Sequence, residues 1–454
     1  MDTGVNCIVG GNDDVLWVEA FKIVPEKPPR KDYPDYAVGF TYVHVGTDIE
    51  LCQRGFHASP TFKHCAMYVK PGLNCRFLRV KMCSPKWDDS YTKCVSNKIE
   101  ICQEYTYEEV LGMKCVFIKN GFEYHTKGFN FHCQDKAENG HTLPAYIGAD
   151  GTKIWYTDDK IDRPNKDENG YTFPAWIGAD GSKRWFTDGK RNRQDKDENG
   201  YTLPAEINAD GSKSWYTDDK LDRQDKDENG YTLPAWIKAD GTKIWFTDGK
   251  RDRQDKDENG YTLPAYIGVD GSKYWYTDDK WSRWDKDENG YTLPAVIRAD
   301  GSKFWYRNGK WDRQDKDENG YTLPAWIGAD GTKKWYTNDK LDRQDKDENG
   351  YTFPAYIGLD GSKRWYTNDK LGRQEKDENG YALPAWIGSD GSKSWYTYGR
   401  QDRQEKDENG HTLPAYIGAD GSKRWFKNGI EFFPTGANVN SNSNASPSWT
   451  KIKT

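Results

Sequence analysis

From Lys136 onward the chain returns to one short phrase at a fixed interval. Lys-Asp-Glu-Asn-Gly opens at Lys166, Lys196, Lys226, Lys256, Lys286, Lys316, Lys346, Lys376 and Lys406, and a variant with Ala137 opens at Lys136, giving ten units of 30 residues without insertion or deletion. A period of this length restricts the fold to a repeat architecture, because one supersecondary unit cannot bury its apolar face alone and must stack on its neighbours. Whatever this part of the chain does is built from one unit, used many times.

In the unit Lys226 to Asp255, the stretch Tyr231-Thr232-Leu233-Pro234-Ala235-Trp236-Ile237 follows Asn229-Gly230 and reads as a strand. Asp240-Gly241 supplies a turn, and Lys243 to Thr247 reads as a second strand. Asp248-Gly249 is the dipeptide of two-residue hairpins, and Lys250 to Arg253 offers a third short strand. No helical spacing appears. Proline recurs in the first strand of every unit, from Pro144 to Pro414, and stops continuous pairing there. The expectation is an all-β tandem-repeat ribbon or solenoid of hairpins or three-stranded meanders. At ~4.8 Å between strands it would be a rod on the order of 100–140 Å if it grows in the hydrogen-bonding direction.

The second strand carries Trp155, Trp185, Trp215, Trp245, Trp275, Trp305, Trp335, Trp365, Trp395 and Trp425, each followed by Tyr or Phe. Neighbours on a strand face opposite ways, so the two aromatic rows should lie on opposite faces, with the Trp row as core. A sharper use of aromatics is a row of sugar-stacking platforms. Its candidates are the variable positions Tyr146, Trp176, Trp236, Tyr266, Trp326, Tyr356, Trp386 and Tyr416, which share their place with Glu206 and Val296.

The loops Asp195-Lys196-Asp197-Glu198-Asn199-Gly200 and Asp225 to Gly230 match the opening of a calcium loop, with Asp195, Asp197, Asn199, Asp225, Asp227 and Asn229 as oxygen donors. The closing bidentate Glu of such a loop occurs only at Glu206, and no helices flank it. An Asx-type turn accounts for the same residues without an ion. Calcium is therefore the one cofactor the sequence raises, and the simpler reading has none.

Composition sets further bounds. Only 35% of the residues are hydrophobic and 30% are charged, too polar for a conventional large core, while 15% aromatic residues rule out disorder throughout. A formal charge of -6 gives no overall attraction for nucleic acid or anionic membrane. No run of ~18 apolar residues suggests membrane insertion, and Met1 to Trp17 shows neither the basic nor the apolar region of a secretory signal. The nine cysteines, Cys7, Cys52, Cys65, Cys75, Cys83, Cys94, Cys102, Cys115 and Cys133, lie in the first 133 residues with no CxxC pair. They read as reduced thiols in a cytosolic setting, and the lack of closely paired ligands disfavours zinc.

Residues 1–126 read as a separate α+β head. Trp17 to Val24, Tyr36 to His44, Cys75 to Met82, Lys98 to Cys102 and Cys115 to Lys119 read as strands. Ser59-Pro60 predicts a helix over Thr61 to Val69, and a capping box of Thr106 with Glu109 predicts another over Tyr107 to Met113. His57, His64 and Cys65, with Glu50 or Asp48 nearby, are the head's cluster of ligand or nucleophile types, and packed core residues are the plainer reading. The array spans 127–435 and ends in an apolar cap, Ile430-Glu431-Phe432-Phe433-Pro434, before an Asn/Ser-rich tail at 436–454 that reads as disordered.

Two stretches carry a resemblance. Ile49 to Ala58, with Ser96-Asn97-Lys98-Ile99 downstream, resembles a small domain of unknown function in bacteriophage and giant-virus proteins. The pattern from Leu293-Pro294-Ala295 through Asp300-Gly301-Ser302-Lys303 and Trp305-Tyr306 to Arg313 resembles tandem β-hairpin, MORN-like repeats of mimivirus-like giant viruses and phages. The resemblance implies a viral protein and supplies no activity. The expectation is a non-enzymatic, elongated scaffold in the virion, on a fibre or in the host cytoplasm, with a protein partner or virion component. Carbohydrate binding and a calcium-stabilised rod are the alternatives.

Overall fold

The computed structural model describes residues 5–8, 17–26, 34–44, 49–50, 55–69, 71–72, 74–119 and 121–434, with backbone alone at 5–8 and 119. Asp48, Cys52, the Cys7 side chain and the tail at 436–454 fall outside this description.

The head runs β1 (Val5–Ile8), β2 (Trp17–Pro25), β3 (Thr41–Val43), β4 (Phe56–Ala58), α1 (Phe62–Ala66), β5 (Cys75–Cys83), β6 (Lys86–Trp87), β7 (Cys94–Ser96), β8 (Lys98–Tyr105), α2 (Tyr107–Gly112), β9 (Lys114–Lys119) and β10 (Phe122–Lys127). Strands β2, β5, β8 and β3 form an antiparallel sheet in that spatial order, and β4, β7 and β6 form a smaller one. Core residues pack against both faces of the larger sheet. Phe21, Ile23 and Phe77 join Phe62, Val110, Phe117 and Tyr124 on one side. Ala20, Val24, Leu78, Val80, Met82, Ile99 and Ile101 pack on the other.

Local chemistry adjusts three boundaries. Ser59 is held in a backbone bridge with Phe21, so α1 starts later than expected, with Thr61 as the cap accepting from His64 N at 3.3 Å. The capping box at α2 is complete, Thr106 Oγ1 accepting from Glu109 N and Glu109 Oε2 from Thr106 N. The strand expected from Tyr36 shrinks to β3, because the chain turns at Gly39, whose φ is 86°.

The rest of the described chain is a long series of short antiparallel hairpins. Contacts divide the chain into two compact units, Met1–Lys250 and Arg251–Thr454. In the first, Tyr146–Ile147, Lys153–Ile154, Trp176–Ile177, Lys183–Arg184, Glu206–Ile207, Lys213–Ser214, Trp236–Ile237 and Lys243–Ile244 pair in succession. In the second, the same ladder runs from Tyr266–Ile267 to Lys423–Lys427. Every inner strand thus pairs once within its own repeat and once with an adjacent repeat, the stacking that the period requires.

The strands are shorter than the sequence reading. Pro204 precedes the two-residue strand Glu206–Ile207, and Trp215 is no strand residue but a break between Lys213–Ser214 and Tyr216–Thr217. The reason is a change of partner. Trp215 N donates to Ala235 O of the next repeat at 2.8 Å, while Tyr216–Thr217 turns aside to pair with Lys220–Leu221. Asp218 and Asp219 between them have φ of 49° and 70°, the left-handed pair of a type I′ turn.

The array ends with Lys423–Lys427 paired to Ile430–Phe432. Ile430 and Phe433 are both 73% exposed, so backbone pairing rather than an apolar plug closes the last repeat.

Candidate functional site

Most repeats are built around one four-membered cluster, with Asn165 and Ala382 replacing a member in two of them and Phe433 standing in the Arg position of the last. Trp215 Nε1 donates to Thr202 O at 2.7 Å, and the Arg223 guanidinium lies 4.1 Å from the centre of the Trp215 ring. Arg223 Nε donates to Asp225 Oδ2 at 2.9 Å, and Asp225 accepts from Thr202 N and Oγ1, both at 2.9 Å. The cluster therefore ties the residue after one loop to the residue before the next. Trp155, Trp185, Trp215, Trp245, Trp275, Trp305, Trp335, Trp365 and Trp395 are buried, and Trp425 is half-buried.

The loop carboxylates are committed to this framework. Asp195 accepts from Thr172 N and Oγ1 and from Arg193 Nε. Burial pushes the Asp195 carboxyl up, but the Thr172 hydroxyl and Arg193 outweigh it and hold the pKa below the usual range. Asp197 Oδ1 accepts from Asn199 N at 3.0 Å and Tyr201 N at 2.9 Å, and Asp227 repeats this with Asn229 and Tyr231. That is the Asx turn. Asn199 and Asn229 take part through backbone N–H rather than as oxygen donors. Among the described residues, none of these carboxylates belongs to a trio of His, Cys, Asp or Glu donors within 4.8 Å.

Tyr146, Trp176, Trp236, Tyr266, Trp326, Tyr356, Trp386 and Tyr416 are all half-buried. Several ring faces already have a cation: Arg184 lies 4.0 Å from the Trp176 centre, Lys334 3.8 Å from Trp326 and Arg364 4.7 Å from Tyr356. Cross-strand pairing puts them there, since Trp176 faces Arg184 and Tyr356 faces Arg364. The more open indoles are elsewhere. Trp284 is 59% exposed and Trp281 is 36% exposed. Trp284 stands where neighbouring repeats hold Gln254 and Gln314, a departure visible in the repeat alignment.

In the head, the expected cluster divides, with His64 packed apart while His57 and Cys65 line one cleft. His64 is fully buried and lies edge-on to Tyr124 and Phe131, with Nδ1 2.8 Å from Thr61 Oγ1, and burial lowers its pKa to about 4. Cys65 Sγ instead donates to Phe21 O at 3.1 Å, and burial pushes its thiol up to about 12. Adjacent residues on a helix point apart, so the two form no nucleophile–base pair. His57 lines a cleft of about 230 Å³ with Lys22, Ser59, Cys65, Tyr68 and Lys93, and among the described residues no carboxylate lines it. Lys22 shares the inward face of β2 with Ala20 and Val24. Its ammonium donates to His57 O at 2.8 Å, and burial lowers its pKa to about 8. The seven cysteines whose side chains are described, Cys65, Cys75, Cys83, Cys94, Cys102, Cys115 and Cys133, are thiols.

Strands β1, β4, β6, β7 and β10 escaped the sequence reading, and the last of them bears on the site. Strand β10 and the residues after it follow the backbone of a repeat without its sequence. His125 N donates to Ala145 O as Trp155 N does to Ala175 O, both at 2.8 Å. His132 N donates to His125 O as Asp162 N does to Trp155 O, both at 3.1 Å. β10 meets Tyr146–Ile147 in the register by which Lys153–Ile154 meets Trp176–Ile177. Thr126–Lys127 pairs with Asn130–Phe131 as Tyr156–Thr157 pairs with Lys160–Ile161. In this half-repeat His125 takes the place of the Trp, Cys133 that of the Arg and Asp135 that of the Asp. Stepping the period back once from Trp155, Arg163 and Asn165 would have found it.

Fold and geometry define a β-repeat protein with a small N-terminal domain whose last strand begins the ladder. Residues 18–113, which run from β2 to the end of α2, match a domain of unknown function, DUF7666. No curated protein matches the chain. Among the described residues no helix is long and apolar enough to cross a membrane.

Proposed function

We propose that the chain is a non-catalytic scaffold whose repeats present a multivalent surface and whose head attaches or recognises. The observation that carries this reading is the Trp215–Arg223–Asp225–Thr202 cluster and its counterparts. The groups that chemistry would need are bonded to one another in most repeats, and several residues that differ between repeats, among them Val269, Trp284, Leu359 and Tyr398, are exposed. Catalysis needs one set of perturbed groups converging in a pocket, and a repeated, self-satisfied cluster supplies structure instead. The resemblance to MORN-like repeats of giant viruses and phages supports a viral setting, either as a virion or fibre component or as a scaffold in the host cytoplasm. Mass spectrometry of purified virions tests it. Stoichiometric recovery supports the particle form, recovery only from infected cells supports the cytoplasmic form, and absence from both overturns the viral reading.

A second reading is carbohydrate binding, favoured by the exposed indoles of Trp281 and Trp284. Sugar rings stack on such faces by the same burial of apolar surface that stabilises aromatic pairs. Titrating a glycan panel while following tryptophan fluorescence tests it. A saturable change lost in Trp284→Gln supports the reading, and no response across the panel removes it.

A further inference from the structure

We propose that His125, Cys133 and Asp135 form a binding site for a zinc-type transition-metal dication, seated where the other repeats hold a guanidinium. The argument starts from what that guanidinium does. Arg193 lies 4.1 Å from the Trp185 ring centre, donates to Asp195 at 2.9 Å and reaches Pro204 O at 3.4 Å. It is a fixed cation joining three groups. In the half-repeat at β10 the cation's side chain is gone, replaced by Cys133, while the carboxylate is kept as Asp135.

What replaces the Trp–Arg pair is a set of metal donors. One donor atom from each of His125, Cys133 and Asp135 falls within 4.8 Å of the others, and His125 Nδ1 is 3.6 Å from Cys133 Sγ. The far nitrogen, His125 Nε2, is bonded to the Glu123 carboxylate. A carboxylate behind a histidine is the arrangement that orients metal-ligating imidazoles. Space is present too. A cavity of about 80 Å³ is lined by Lys114, His125, Thr126, His132, Cys133 and Asp135, and the buried Thr126 hydroxyl has no partner.

The donor set selects the ion. One sulfur, one nitrogen and one carboxylate oxygen suit zinc or cobalt, with a water as fourth ligand, and are too soft and too few for calcium or magnesium. Asp135 also meets Lys114 at 3.3 Å, but both side chains are about half exposed and such a pair contributes little. A bound dication would ionise the Cys133 thiol. Its structural effect would be to fasten the last strand of the head to the first turn of the array. Spacing alone hides the site, since the ligands sit 8 and 2 residues apart on different segments and meet only through strand pairing.

The test uses the full chain, stripped with a chelator and titrated with zinc against a chromophoric competitor, and with cobalt to read thiolate-to-metal charge transfer. The expected result is one zinc per chain and a cobalt–thiolate band. Cys133→Ser should abolish the band, and Cys133→Ser and Asp135→Asn should each weaken zinc binding by about tenfold or more. Cys65→Ser should change neither. The double variant His125→Trp with Cys133→Arg supplies the Trp and Arg that other repeats set beside their Asp, with Gly112 in the Thr position, so it should fold without an ion and bind none. Failure of the wild type to take up stoichiometric zinc, or undiminished uptake by Cys133→Ser or by the double variant, would overturn the proposal.

Discussion

The Arg223 guanidinium lies 4.1 Å from the centre of the Trp215 ring, and equivalent pairs recur at Arg193–Trp185, Arg313–Trp305 and Arg403–Trp395, all at 4.1 Å. A desolvated cation–π contact contributes about 2 kcal/mol or more. Here the same cation also neutralises Asp225, and both side chains are about 10% exposed. Arg223→Ala therefore removes a stacking partner and leaves a buried carboxylate unpaired, a loss of about 3–5 kcal/mol. Arg223→Lys keeps the charge but not the planar fork, and should recover only part of it. Urea unfolding of the full chain, monitored by tryptophan fluorescence, measures both.

Position along the array should matter as much as residue type. Trp215 is flanked by repeats on both sides and donates its backbone N–H to Ala235, whereas half-buried Trp425 lies in an unbroken terminal strand. Trp215→Ala should cost about 3–5 kcal/mol, as large aromatic-to-alanine changes in cores do. Trp425→Ala should cost clearly less, because stability in a repeat array is a sum over neighbour interfaces and the last repeat has one fewer. Equal losses in thermal unfolding would show that the terminal repeat is as well packed as an inner one.

How far the fold was legible follows from these two residues. The period, the β character and the buried Trp row can be read from sequence, because each repeats with the unit. The break at Trp215 cannot, since it arises when a backbone N–H finds Ala235 in the next repeat. The helix start at Thr61 was hidden similarly, by the pairing of Ser59 with Phe21. The half-repeat at β10 was hidden by its chemistry, with His125 and Cys133 replacing the residues that mark every other unit.

Acid should loosen the array from its turns. Asp210 accepts from Ser212 N, and that bond holds its pKa below the ordinary value of 3.8. Asp240 and Asp270 are held down in the same way by Thr242 and Ser272. A carboxylate with a depressed folded pKa stabilises fully above its unfolded value, and the effect is lost as pH falls through the folded one. The melting temperature should accordingly hold steady above the carboxylate range and fall below pH 3.8. Replacing Asp210, Asp240 and Asp270 together with Asn keeps the one oxygen that accepts from the backbone in each turn but removes three titrations, and should flatten the decline.

In the head a second depressed group gives the same sign at the alkaline end. Burial lowers Lys22 to about 8, so between that pH and its unfolded value of 10.5 the unfolded chain binds the extra proton and stability rises with pH. The Cys65 thiol, pushed up to about 12, acts oppositely in the same range, because the unfolded thiol ionises first. The Lys22 contribution therefore has to be read as a difference. Subtracting the pH profile of Lys22→Met from that of the wild type should leave a rise between pH 8 and 10.5. A flat difference would mean that the ammonium reaches water.

The first complete repeat lacks its acid, and supplying it should stabilise the chain. Arg163 lies 4.0 Å from the Trp155 centre like its counterparts, but Asn165 stands where Asp195 and Asp225 stand in later repeats. Arg163 Nε is buried without a hydrogen-bond partner, and burial lowers the guanidinium pKa to about 10. Asn165 Oδ1 already accepts from the Thr142 hydroxyl, so the side chain is placed as the other repeats place their Asp. Asn165→Asp should keep that bond, add one from Arg163 Nε, and raise stability by about 0.5–2 kcal/mol, the usual gain of a consensus replacement. The reciprocal Asp195→Asn should lose more than this, since it strands Arg193. Denaturant midpoints of the two variants decide the matter. Loss of stability in Asn165→Asp would mean that desolvating a second charge beside Trp155 outweighs the pairing.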